Sequence, residues 1–317
     1  MVITRAKVVG KITSAFVKIE TVSICCRVIN LAMHLNRSHS ACSVLILLFI
    51  ITIHSNAFSQ TSPIKRMGSL NTVSFDDAWL FARFGLQPDG TRKEEPAGLE
   101  SGNFNDATWQ KLSLPHDWAI TGPFRIELDG GTGKLPWKGI GWYRKHFTIP
   151  AADATKKIFI DFDGAMANAK IWLNGKYVGT WPYGYTSFRM DLTPYIQPGK
   201  ENVLAVRLYT EQWDSRWYPG AGIYRHVWLV KTDPVHVDHW GTYITTPRIT
   251  EASAEVNIAV TVRNHSKKAA RATVRTELYE LDAANKPTVK VAEMKECCQR
   301  PGIVLAQHMA LPLQGGS

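Results

Sequence analysis

Across residues 70–232 the apolar positions fall in short runs of alternating, β-branched and aromatic residues parted by Gly, Pro, Asn and Asp, and helical periodicity is nearly absent. The pattern predicts strands over 142–149 (WYRKHFTI), 157–162 (KIFIDF), 169–173 (AKIWL), 176–181 (KYVGTW), 202–209 (NVLAVRLY) and 224–230 (YRHVWLV). Asn174-Gly175 separates two of them, and this pair takes the positive φ values of a type I′ hairpin turn more readily than others. DLTPYI at 191–196 followed by QPGK reads as a short helical turn and a loop, because proline and glycine stop a ladder. Strands of this number and spacing close best as two facing sheets of jelly-roll type, with loops gathered at a rim.

After Asp233-Pro234 the texture changes. The runs 236–245 (HVDHWGTYIT), 254–263 (AEVNIAVTVR) and 272–280 (ATVRTELYE) are longer, more regular and poor in Trp, as in an immunoglobulin-like sandwich. Residues 293–317 supply too few further strands to finish such a domain of about 100 residues, so the second sandwich is expected to be incomplete. The fold class expected is all-β: a jelly-roll sandwich over 70–233 and a truncated immunoglobulin-like sandwich over 234–317.

The front of the chain carries a different pattern. Residues 44–53 (VLILLFIITI) are continuously apolar, too short for the roughly 20 residues of a bilayer span and suited to the about 7 to 15 of a signal-peptide core. Ala57 and Ser59 place small residues at the two positions that a cut before Gln60 requires. Residues 1–59 therefore read as an export address with an extended basic lead, and 60–69 as a linker, which makes the protein periplasmic, cell-surface or extracellular. A start at Met33, or retention of the segment as an anchor, are the alternatives; no other membrane contact is expected.

Charge follows the same division. The net charge is +10, but residues 1–66 hold eight Lys or Arg against one acid, Glu20, while the rest of the chain holds 29 bases and 26 acids. A nearly balanced body lacks the concentrated basic face that nucleic acid demands. The five cysteines lie at 25, 26, 42, 297 and 298, which excludes a disulfide framework or a zinc site inside the main body.

All eleven tryptophans lie between Trp79 and Trp240. Those on strands, such as Trp172 and Trp228, read as core, since an inward strand position buries a large apolar area. The loop EQWDSRWYPG at 211–220 is different: Trp213, Trp217 and Tyr218 alternate with Asp214, Ser215 and Arg216. A flat ring beside bidentate polar groups suits a sugar, which offers an apolar C–H face and a rim of hydroxyls. The same loop also reads as a rim braced by an Asp214–Arg216 contact. The candidate substrate-binding residues are Asp214, Ser215, Arg216, Trp217 and Tyr218. His116-Asp117 suggests acid–base chemistry, but neighbours on extended chain point to opposite faces and cannot easily serve one atom. Asp161 and Asp163 share a face at a strand end, where a terminating turn accounts for them. No phosphate-loop, H-E-x-x-H or G-x-S-x-G motif occurs, so no cofactor, no metal and no catalytic residue is expected in this chain.

The succession SLPHDWAITGPF (113–124), GIGWYRKHFTIP (139–150), IDFDGAMANAKIWLNGKYVGTWPYGYTSFRMDLTPYI (160–196), NVLAVRL (202–208) and RWYPGAGIYRHVWLV (216–230) resembles the N-terminal sugar-binding domain of glycoside hydrolase family 2, in its β-galactosidase-like branch. The stretch after it is similar to that family's immunoglobulin-like second domain. The resemblance implies a retaining β-glycosidase whose two carboxyl groups, about 5 Å apart, sit on a barrel that this chain does not reach. It further implies that the loop 214–222 helps to bind the substrate sugar. The partners so implied are a β-linked oligosaccharide or polysaccharide and the missing catalytic barrel of the same enzyme. A free-standing carbohydrate-binding module is the alternative.

Overall fold

The computed structural model describes residues 2–6, 15–24, 72–128, 130–212, 220–250, 252–282, 286–298 and 304–312. Two strands come from the front, β1 (Val2–Ala6) and β2 (Ala15–Ile24). The first sandwich is built from β3 (Thr72–Ser74), β4 (Trp79–Leu86), β5 (Arg92–Lys93), β6 (Gln110–Leu112), β7 (Ile140–Thr148), β8 (Lys157–Phe162), β9 (Ala169–Leu173), β10 (Lys176–Trp181), β11 (Phe188–Asp191), β12 (Glu201–Tyr209) and β13 (Val227–Thr232). The second uses β14 (Val235–Ile249), β15 (Ser253–Asn264), β16 (Ala272–Leu281), β17 (Pro287–Cys298) and β18 (Val304–Pro312). The chain is all-β, as the alternation predicts.

In the first sandwich a sheet in the order β10-β9-β12-β7-β4-β5, with β6 also on β4, faces a sheet in the order β11-β8-β13-β3. Between them lie Leu204, Val206 and Leu208 of β12, Tyr143 of β7, Ile158, Ile160 and Phe162 of β8, and Ile171 and Leu173 of β9. Each such side chain, fully buried, contributes about 1.5–3 kcal/mol. The opposite face of β12 and β7 is buried too. Leu99, Phe104 and Trp109, from the excursion between β5 and β6, pack on Phe84, Ile140, Trp142 and Ala205. Ala205 is small enough for Trp142 and Trp172 to stack at 5.3 Å beside it, the two rings standing on strands that flank β12. Burial on both faces explains why NVLAVRLY reads as a nearly continuous apolar run.

The Asn174-Gly175 turn takes φ of 54° and 77°, as a type I′ hairpin requires. Asn174 adds a second function: its carbonyl oxygen accepts from Val203 N at 2.9 Å, and its amide donates to Tyr195 O at 3.0 Å and Asn202 Oδ1 at 2.9 Å. The stretch 191–196 forms a single turn, in which Tyr195 N and Ile196 N donate to Leu192 O at 2.9 and 3.1 Å.

The second sandwich pairs the sheet β14-β15-β18 with the sheet β1-β2-β16-β17. Val256, Ile258, Val260 and Val262 of β15 meet Ala272, Val274 and Leu278 of β16. β17 and β18 run through the stretch in which the sequence pattern gives too few strands, and β2 lies antiparallel along β16 from the Ala272–Ile24 pair to the Glu280–Ala15 pair. Sequence reasoning assigns no strand to 1–59, where β1 and β2 fall. The apolar run 44–53 and the cut before Gln60 lie outside the described residues, as do the last five residues of the chain.

Candidate functional site

The connection from β12 to β13 is the loop that sequence analysis selects. Asp214, Ser215, Arg216, Trp217 and Tyr218, with Trp213 and Pro219, lie outside the described residues. Both ends of the loop are described, and each is held to the rim of the first sandwich.

At the outgoing end, Tyr209 N donates to Ala167 O at 2.9 Å and Thr210 N to Gly139 O at 3.0 Å, while the Thr210 hydroxyl donates to Trp137 O at 2.9 Å. Glu211 turns back over β4, where its carboxylate accepts from Leu86 N at 2.7 Å and from the Arg92 guanidinium at 3.0 Å. Gly85 makes room for it: with φ of +65°, a Cβ there would stand 2.2 Å from Glu211 Oε1. Beneath this hairpin Arg83 donates to the carbonyls of Leu86, Pro136 and Lys138 at 3.1, 2.8 and 2.7 Å. Burial lowers the Arg83 pKa to about 10, partly opposed by Glu211, and the guanidinium stays charged at neutral pH.

At the returning end, Ala221 O accepts from Trp118 N and Ile223 O from His116 N, both at 2.9 Å. Gly222 exchanges two backbone bonds with Met166, at 2.9 and 3.0 Å. Its φ is +136°, and a Cβ would lie 2.4 Å from His116 O and 2.6 Å from Tyr143 Oη. Only glycine fits there. The Tyr224 hydroxyl donates to Gly184 O at 3.0 Å, which ties the 182–187 turn to the same rim.

The structure also places the other candidate residues. His116 Nδ1 lies 2.7 Å from the Tyr143 hydroxyl. Burial pushes Tyr143 well above its ordinary pKa and His116 below its own, so both are neutral at pH 7. The backbone of Ile223 donates to the same hydroxyl. His116 thus braces the rim. Asp117 Oδ1 accepts from Ala119 N at 2.9 Å and closes the next turn. Asp161 holds Arg189 through two bonds of 2.6 and 2.8 Å, and Asp163 accepts from Trp228 Nε1 at 2.8 Å. These carboxylates therefore serve packing between β8, β11 and β13. Among the described residues no group of three or more His, Cys, Asp or Glu could hold a metal ion.

Sequence reasoning missed part of this rim. Ile120, Phe124 and Ile126 are exposed on the segment after Trp118, and Tyr183 and Tyr185 are exposed on the turn tied to Tyr224. Tyr183 packs edge-on against Trp181 at 5.8 Å. The signal for the two tyrosines was present in WPYGYTS, a turn with aromatic residues at alternate positions.

Residues 102–233 match the family described as glycosyl hydrolases family 2, sugar binding domain. The chain is 43% identical over 226 residues to the β-galactosidase BoGH2A of Bacteroides ovatus, covering 70% of this chain and 26% of that protein. It is 31% identical over 238 residues to a β-glucuronidase of Formosa agariphila, covering 67% and 23%. Among solved structures, a glycosyl hydrolase family 2 member from Bacteroides cellulosilyticus superposes with a TM-score of 0.67 at 36% identity, covering 78% of this chain and 31% of that one. The chain spans about a quarter of the length of the curated relatives it matches.

Proposed function

Because this chain belongs to glycoside hydrolase family 2 through its N-terminal sugar-binding region, we propose that it supplies the carbohydrate-contacting rim of an exported, β-galactosidase-like enzyme that cleaves O-glycosidic bonds. The supporting observation is the clamp at both ends of the β12–β13 connection: Glu211 on Leu86 N and Arg92, and Gly222 on Met166. A loop with fixed ends loses less conformational freedom when it closes on a ligand, so its rings and polar groups meet a sugar at lower cost. In this reading Trp217 and Tyr218 stack on the C–H face of a β-linked sugar, and Asp214, Ser215 and Arg216 bond its hydroxyls. Bond cleavage belongs to a pair of carboxyl groups on a barrel domain of the same enzyme. The described carboxylates Asp106, Asp161 and Glu211 are already engaged by Arg144, Arg189 and Arg92.

Retention of the purified chain on an immobilised galactoside or xyloglucan matrix tests the reading. The wild type is expected to be retarded, and W217A and R216A to elute earlier by amounts matching the about 1 kcal/mol or more of a lost stacking ring or charged hydrogen bond. Equal retardation of all three proteins would place sugar contact elsewhere. Retention with no activity in any enzyme that carries this chain would favour a free-standing binding module.

A further inference from the structure

The two sandwiches meet through a three-ring contact of Phe159, His236 and His265. β13 ends at Thr232, Asp233-Pro234 makes the link, and His236 is the second residue of β14. His265 follows β15, and its backbone N donates to Pro234 O at 2.8 Å. The His236 and His265 rings stack at 5.3 Å and 13°. Phe159 of β8, in the first sandwich, turns toward both, at 5.9 Å and 62° to His236 and 6.4 Å and 59° to His265. One sandwich contributes the phenyl ring and the other the imidazole pair.

The charges around this stack favour a neutral His236. Arg189 of β11 lies over the Phe159 ring at 4.9 Å and pairs with Asp161 of β8. Lys157 of β8 lies over the same ring at 5.8 Å and pairs with Asp191 of β11. The link carboxylate, Asp233, is engaged by Lys156, and Asp238 of β14 by Arg263 of β15. Each nearby carboxylate has a cation of its own, and two cations share the ring that the histidines flank. His236 Nδ1 donates to Asp233 O at 2.7 Å, so a second proton has to enter at Nε2. His236 is almost fully buried. Burial, followed by His265 and Arg189, holds its pKa below the ordinary 6.5, against the opposing pull of the Asp233 carbonyl and Asp238.

We propose that His236, stacked on His265 at the junction, is a proton-operated latch between the two sandwiches, closed while its ring is neutral and released when it takes up a proton. The closed junction binds protons less readily than the open one. The closed form is therefore fully favoured above about pH 6.5 and loses ground as the pH falls below it, by about tenfold for each unit by which the junction depresses the pKa. A His236 imidazolium would face Arg189 and Lys157 across Phe159.

Hydrogen exchange on the full chain, corrected for the pH dependence of intrinsic rates, tests the latch. Between about pH 7.5 and about pH 5, amide protection at 234–238 and at His265 is expected to fall about tenfold or more, while amides of β12 keep theirs. H265F removes the neighbouring ring that helps to hold His236 neutral and is expected to show a smaller fall, and H236F none. Since Phe at 236 forfeits the bond to Asp233 O, a titration of the His236 Cε1 proton resonance in the wild type provides a second measurement, with its midpoint expected below 6.5 and within the same transition. Protection that does not change with pH, a fall of full size in H265F, or a His236 midpoint at or above its ordinary value would each overturn the proposal.

Discussion

Arg144 has no exposed surface, and its guanidinium meets the Asp106 carboxylate and the Leu99 carbonyl, both at 2.6 Å. His146 reaches the same carboxylate at 2.9 Å. Removing the acid would leave a buried cation uncompensated, so Asp106→Ala is expected to lower stability by about 3–5 kcal/mol in urea unfolding. Burial alone would raise the Asp106 pKa, but the bonds from Arg144 and His146 outweigh it and hold the carboxyl below its ordinary 3.8. A depressed carboxyl pKa stabilises the fold above about pH 4, and this stability is lost as the pH falls through the lower folded value. The urea midpoint should therefore drop in that acid range in the wild type and respond less in D106N. None of this was legible in the sequence. Asp106 sits in NDATW, which reads as a polar loop, and its partner is 38 residues away on β7. At Asp161 and Asp163 the pattern gave the shared face correctly but could not supply Arg189 and Trp228, whose placement depends on strand order.

At the scale of elements, tight turns and strands with marked ends were readable even where both faces are buried, as in β7, β8 and β12, whereas strands paired across the chain were not. β8, β9 and β10 coincide with the predicted runs because Gly, Pro or Asn-Gly marks their ends. β4 escaped the pattern. Its WLFARFGL lacks alternation because both faces are covered, and its one charge, Arg83, is spent on three backbone carbonyls. The excursion between β5 and β6 hides Leu99, Phe104 and Trp109 among Gly, Asn and Glu. The candidate loop was legible as aromatic residues alternating with polar ones, whereas its clamps were not, since they depend on Leu86, Met166 and His116 from three distant segments. Gly222→Ala tests the returning clamp. With φ of +136° and a methyl group 2.4 Å from His116 O, it is expected to cost at least about 2 kcal/mol in thermal or urea unfolding. At the Asn174-Gly175 turn, Gly175→Ala at φ of +77° should cost about 1 kcal/mol, because a Cβ there meets only ordinary contacts and backbone conformation is the main term.

Across the whole molecule, the two sandwiches differ in what they hold. The first buries a core on one face of its larger sheet, covers part of the other face with an excursion, and ties both described ends of the β12–β13 connection to its own backbone. The second meets it at the Phe159, His236 and His265 contact. The change of texture near Asp233-Pro234 was legible, and it falls where β13 ends and β14 begins. The sheet that includes β1 and β2 was not legible, since pairing between segments about 250 residues apart leaves no local mark. The proposed function has two parts, a rim that binds a β-linked sugar and bond cleavage that resides elsewhere in the enzyme. Calorimetric titration of the full chain with a β-linked galacto-oligosaccharide reads both parts at once. Heats that saturate and return to baseline after every injection are expected; sustained heat from continuing hydrolysis, or no heat of binding at all, would contradict the proposal.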